Sequence, residues 1–138
     1  MKKVYLIVMF AAVLIMSGCK KSETTSNDSN NLKGMWSSEP RTAGWLSDYS
    51  SNPLIRDDVF EFLNENTVKS YGSAVNMTHP DLVSSMSMPG HSGWYYEFAR
   101  NYTYVFTNNK VVLSNGDVFS YIGGKLYKEN SSSVLSRW

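Results

Sequence analysis

Residues 94–129 read WYYEFARNYTYVFTNNKVVLSNGDVFSYIGGKLYKE. Short runs of Tyr, Phe and Val alternate there with Asn108-Asn109, Asn115-Gly116 and Gly123-Gly124, pairs whose backbone tolerates the positive φ of tight hairpins. The pattern predicts an antiparallel meander with strands at Trp94–Arg100, Tyr102–Thr107, Lys110–Leu113, Val118–Ile122 and Lys125–Glu129. With two residues in each central loop, Tyr104, Phe106, Val111, Leu113, Val118 and Ile122 share one face. Val105, Val112, Phe119, Tyr121 and Leu126 then share the other. Both faces are apolar, so the second needs cover from another part of the chain. The expected sources are the long connection upstream and a tail that folds back through Val134, Leu135 and Trp138.

Working outward, Asp58–Leu63 (DVFEFL) is a predicted strand, Asn64-Glu65-Asn66 its turn and Thr67–Tyr71 the returning strand. Ser37–Asp57 contains Pro40, Gly44 and Pro53 and reads as irregular. Its Trp45, Leu46 and Tyr49 suit a loop whose aromatics plug the core, with a single helical turn as the alternative. Ser73–Gly93 is long for a connection in a small domain. Thr78, Pro80 and Asp81 there resemble a helix start, which predicts a short helix from about Pro80 to Ser87, ended before Pro89-Gly90. Leu32-Lys33-Gly34-Met35-Trp36 opens the domain with strand-like alternation.

The predicted fold class is therefore mainly β: a small antiparallel meander, closed into a barrel or folded into a sandwich, with one short helix. Residues 32–138 suffice for a single domain. Without Lys2 and Lys3, eleven basic residues face twelve acidic ones, a balance that carries no electrostatic footprint for nucleic acid.

The start of the chain carries the address. Met1-Lys2-Lys3 is positively charged, and the thirteen residues Val4–Met16 are apolar throughout. As a helix they rise ~20 Å, short of the ~30 Å hydrocarbon core, which reads as a signal peptide rather than a membrane span. Met16-Ser17-Gly18-Cys19 follows at once and resembles the lipobox of bacterial lipoproteins. The resemblance implies a signal peptide over 1–18 and acyl lipid joined covalently to Cys19, with several chains making attachment permanent. Cys19 is the one cysteine of the sequence, so no internal disulfide supports the fold. Residues 19–31 then form the lipidated cysteine and its tether. Lys20–Asn31 (KKSETTSNDSNN) has no apolar residue to bury and is expected to stay disordered. Lys20 is not the aspartate that retains lipoproteins of enteric bacteria in the inner membrane. The expected place is the cell envelope, at the outer membrane, with the leaflet left open.

Gly34-Met35-Trp36 resembles the G-x-W signature on the first strand of lipocalins and related small β-barrels. That resemblance implies a tryptophan closing one barrel end against an arginine from late in the chain, a place Arg137 can fill. Its implication is structural rather than catalytic.

Three kinds of chemistry compete for a site. Trp45, Tyr49, Trp94 and Tyr95 are candidates for a platform on which a sugar ring or apolar ligand stacks, or for docking an envelope protein. Met77, His79, Met86, Met88 and His91 bring thioether and imidazole together in the long connection, a set that suits Cu(I), with core filling as the bland alternative. An envelope hydrolase would draw on His79 or His91 with Asp81, or on a Glu61/Glu97 carboxylate pair, but no nucleophile elbow or phosphate loop is present. The expectation is a non-catalytic binding module for a small ligand, glycan or partner protein. It carries no cofactor beyond the acyl lipid. The alternatives are copper handling, hydrolysis or enzyme inhibition.

Overall fold

The computed structural model describes residues 28–46, 53–77 and 86–138. Eleven strands are present among them: β1 (Gly34–Ser37), β2 (Arg41–Thr42), β3 (Leu54–Phe62), β4 (Thr67–Asn76), β5 (Met86–Ser87), β6 (Trp94–Tyr96), β7 (Arg100–Thr107), β8 (Lys110–Leu113), β9 (Val118–Ile122), β10 (Lys125–Lys128) and β11 (Val134–Arg137). Eight of them, β1, β3, β4 and β7 to β11, pair in chain order, and β11 returns to β1. The result is a closed, up-and-down antiparallel barrel, which leaves those strands no free edges.

Turn chemistry sets the register. Asn108 and Asn109 take φ of 49° and 58°, and Gly123 and Gly124 take 58° and 76°. These are the expected two-residue connections, with Thr107 opposite Lys110 and Ile122 opposite Lys125. The β8–β9 connection is one residue longer. Leu113 N–H donates to Asp117 O at 2.9 Å, Gly116 sits between them at φ 94°, and Val112 lies opposite Val118. That extra residue exchanges the faces of everything after it. Tyr104, Phe106, Val111 and Leu113 point inward as expected, but Phe119, Tyr121 and Leu126 join them in place of Val118 and Ile122.

An eight-stranded barrel has an interior just wide enough for side chains. Here Trp36, Phe60, Phe62, Val68, Tyr104, Val111, Leu113, Phe119, Leu126 and Leu135 are buried together in it, with Leu32 beneath them. Phe62 meets Tyr104 and Phe60 meets Phe119 edge to face, at 5.0 and 5.5 Å between centroids. The lower end is closed from the N-terminal side. Asp28 caps a 3-10 turn at Ser29–Asn31 by accepting from Asn30 N–H at 2.9 Å, so residues 28–31, expected in the tether, are folded. Trp36 Nε1 donates to Leu32 O at 2.6 Å. The Arg137 guanidinium lies 4.9 Å over the Trp36 ring and donates to Lys33 O and Asn31 O at 2.7 and 2.5 Å. At the upper end Lys128 Nζ lies 3.3 Å from Asp117 and 3.8 Å from Asp58, and Ser133 Oγ donates to Asp58 at 2.7 Å.

β3 and β4 serve two structures. Register shifts between Arg56 and Phe60, with Asp58 at φ 50° and Gly72 at φ 64°, bend the pair halfway along. Glycine suits position 72, since φ 64° is strained for a residue with a Cβ, and a Cβ there would also press on the Phe98 ring at 3.2 Å. Below the bend both strands belong to the barrel. Above it they carry β2 on one side and β6 and β5 on the other, as a five-stranded extension. The segment Ser37–Asp57, read as irregular, thus supplies β2 and the start of β3, because Ile55 gains a buried cluster with Ala43. Trp45 does not plug the core: it is 69% exposed on a 3-10 turn at Gly44–Leu46. Tyr49 lies outside the described residues, as do residues 80–85 of the expected helix, and Met86–Ser87 at its end are strand.

The cover expected over the meander falls elsewhere. A second apolar layer of Met35, Val59, Tyr71, Ala74 and Met88, with Trp94, Tyr96 and Trp138, dresses the outside of β1, β3 and β4. The outer wall of β7 to β10 stays bare, and Val105 there is 62% exposed. Removing a ring from the filled interior leaves a cavity that its neighbours cannot close. Phe119→Ala should cost about 3–5 kcal/mol in urea unfolding, whereas Val105→Thr on the bare wall should stay within about 0.5 kcal/mol.

Candidate binding surface

The side chains with the most unusual surroundings meet in that outer layer, around Arg56. Arg56 stands on β3 just before the bend, in line with Ala74 of β4 and Tyr96 of β6. Its Nη1 donates to Ser37 Oγ and to Ser38 O, both at 3.0 Å. Its guanidinium carbon lies 5.5 Å from the Trp94 ring and 4.8 Å from the Trp138 ring. Nε is buried without a hydrogen-bond partner. The two indole faces offset part of that cost, because a desolvated cation over an aromatic ring gains ~2 kcal/mol. Burial draws the guanidinium below its ordinary pKa, and Glu39 opposes the shift.

Trp138 is placed by its backbone, whose N–H donates to Met35 O at 3.0 Å and continues the β1–β11 seam. Its ring meets Trp94 edge-on at 5.0 Å and stacks with His91 at 4.0 Å. His91 is delivered by a tight loop. Met88 N–H donates to Trp94 O, and His91 N–H returns to Met88 O. Burial lowers the His91 pKa, the Arg56 charge lowers it further, and Glu61 pulls the other way. Beside this group the Tyr71 hydroxyl donates to Glu61 Oε2 at 2.5 Å, and the Tyr71 ring meets Tyr96 at 4.7 Å. Burial, reinforced by the Glu61 carboxylate, drives the Tyr71 pKa well above its ordinary value.

The candidates named from sequence are scattered by this arrangement. Trp94 belongs to the cluster. Tyr95 alternates to the opposite face of the extension, paired with Val75, and Trp45 sits beyond β2 at the far side of the sheet. Met77 and Met88 are buried as filler, and Met86 is exposed on the edge strand β5. His91 is stacked on Trp138, and His79 lies outside the described residues. Among the described residues no three His, Cys, Asp or Glu side chains gather in a metal-binding group. Glu61 is engaged by Tyr71, while Glu97 is exposed past the end of β6. Arg56 and Trp138 are the members that sequence reading missed. The one available signal was Ile55-Arg56 beside Asp57-Asp58, and the bend interrupts its alternation.

Chemically the cluster is a half-buried cation between indoles, flanked by an imidazole whose pKa is lowered by burial and by that cation. It can stack on a flat ligand and donate hydrogen bonds. Compared with protein families, curated proteins and solved structures, the chain matches none.

The His91 environment sets a pH dependence. Its folded pKa lies below the ordinary 6.5, so the unfolded chain binds more protons in the interval between the two values. Stability should therefore fall as pH drops through about 6.5, the model-peptide value. Proton NMR should show the His91 ring titrating below that point, and Arg56→Gln should move the titration upward.

Proposed function

We propose that this chain is an envelope lipoprotein, anchored through acylated Cys19, whose barrel is a non-catalytic module that binds on its outer surface. The filled interior carries the reading: rings and aliphatic side chains occupy the space in which a barrel of this kind would hold a small ligand. Recognition is thereby left to the outside, where Trp94, Trp138, Arg56 and His91 offer aromatic faces and a cation to a glycan or a partner protein. The lipocalin-like resemblance draws support from Arg137 over Trp36 and from the pairing of first and last strands. The lipoprotein reading rests on the apolar run that ends in Met16-Ser17-Gly18-Cys19.

Two measurements test this. Cells fed an alkyne fatty acid should label the wild-type chain, and Cys19→Ala should abolish the label. Native mass spectrometry of protein purified from its own cells should show the acylated chain without a bound apolar molecule. A stoichiometric small hydrophobic ligand would contradict surface binding.

A further inference from the structure

The lower rim of the barrel gathers the start of β1 and the β3–β4, β7–β8 and β9–β10 turns. The folded chain enters at this end, at Asp28. Between Cys19 and Asp28 stand eight residues, 20–27, which span at most about 28 Å even when fully extended. With Cys19 acylated, this end of the barrel is therefore held within a molecular diameter of the bilayer. At that enforced concentration a weak surface contact suffices to dock it.

The rim has the chemistry of such a contact. Ile122 is 61% exposed at the β9–β10 turn and Leu63 is exposed beside the β3–β4 turn. Lys33 and Lys125 are exposed, and Arg137 adds its charge beneath Trp36, against Asp28 and Glu65 on the acidic side. Between the β7–β8 and β9–β10 tips lies an open depression of about 410 Å³, lined among others by Asn109, Lys110, Ser120, Tyr121 and Ile122. Amide, ammonium and hydroxyl groups around one ring suit a phosphodiester headgroup. Lys110 is paired with Glu129 at 2.6 Å, but the pair is exposed and weak in water, so a phosphate can take its place.

We infer that the lower rim docks on the membrane surface, with Ile122 at headgroup depth and an anionic lipid headgroup seated in the depression between the hairpin tips. The inference rests on the lipoprotein reading above. It directs the extension, with β5 and the β10–β11 turn, away from the bilayer.

The test uses the full acylated chain in vesicles of phosphatidylethanolamine and phosphatidylglycerol. Its one native thiol is blocked by lipid, so a nitroxide attaches only at an introduced cysteine. Ile122→Cys on the rim is compared with Ser132→Cys in the β10–β11 turn. On reconstitution, collision with a water-soluble nickel chelate should fall roughly threefold or more at 122 and stay unchanged at 132. Lys110→Glu with Lys125→Glu should restore access at 122. Equal access at both positions in protein that floats with the vesicles would overturn the docking while leaving the anchor standing. An unacylated Cys19 by mass, with protein that does not float, would remove both.

Discussion

Closure of the sheet is the constraint on which the rest depends. Once β11 pairs with β1, Trp36 stands opposite Arg137 and the eight strands enclose a space that only side chains can fill. The 3-10 turn at Ser29–Asn31 and Leu32 then have a rim to close, and Trp36 has a carbonyl to bond. The sequence holds no second cysteine to staple the fold, so this apolar interior must supply the stability that disulfides supply in many small domains.

Side chains fill the barrel, and its outer walls differ from one another. One is dressed by the long connection and the tail, which bury Met88 and set Trp94, Trp138 and His91 around Arg56. The other, β7 to β10, is bare and carries exposed valines and Tyr127. The bend at Asp58 and Gly72 produces this asymmetry, because it diverts the upper halves of β3 and β4 out of the barrel and gives β6 an edge to join. On the dressed wall the indole rings are packed against the Arg56 cation, against His91 and against each other.

The meander and its turns were legible in the sequence because hairpin chemistry is local. Asn108-Asn109 and Gly123-Gly124 adopt the positive φ that their composition implies. The faces after Leu113 were misassigned because Asn115-Gly116 announces a turn without announcing its length, and one residue reverses the alternation. β2 and the start of β3 were hidden for a different reason. Their residues owe their burial to partners far along the chain, such as Val75 beside Ile55, which no short window contains. The Arg56 cluster was beyond reach in the same way, since it joins β3, the long connection and the last residue of the chain. Trp94 was recognisable as an aromatic candidate, but its partners were not.

The barrel is closed, and apolar side chains fill it. Native-state hydrogen exchange of the Trp36 indole N–H tests this closure most directly, because this proton is buried under Arg137 and bonded to Leu32 O at the seam. The account predicts exchange only through global unfolding, with a protection free energy equal to that from urea denaturation. Exchange of this proton, and of the β11 amides, orders of magnitude faster than global unfolding would mean a seam that opens and a sheet with two free edges.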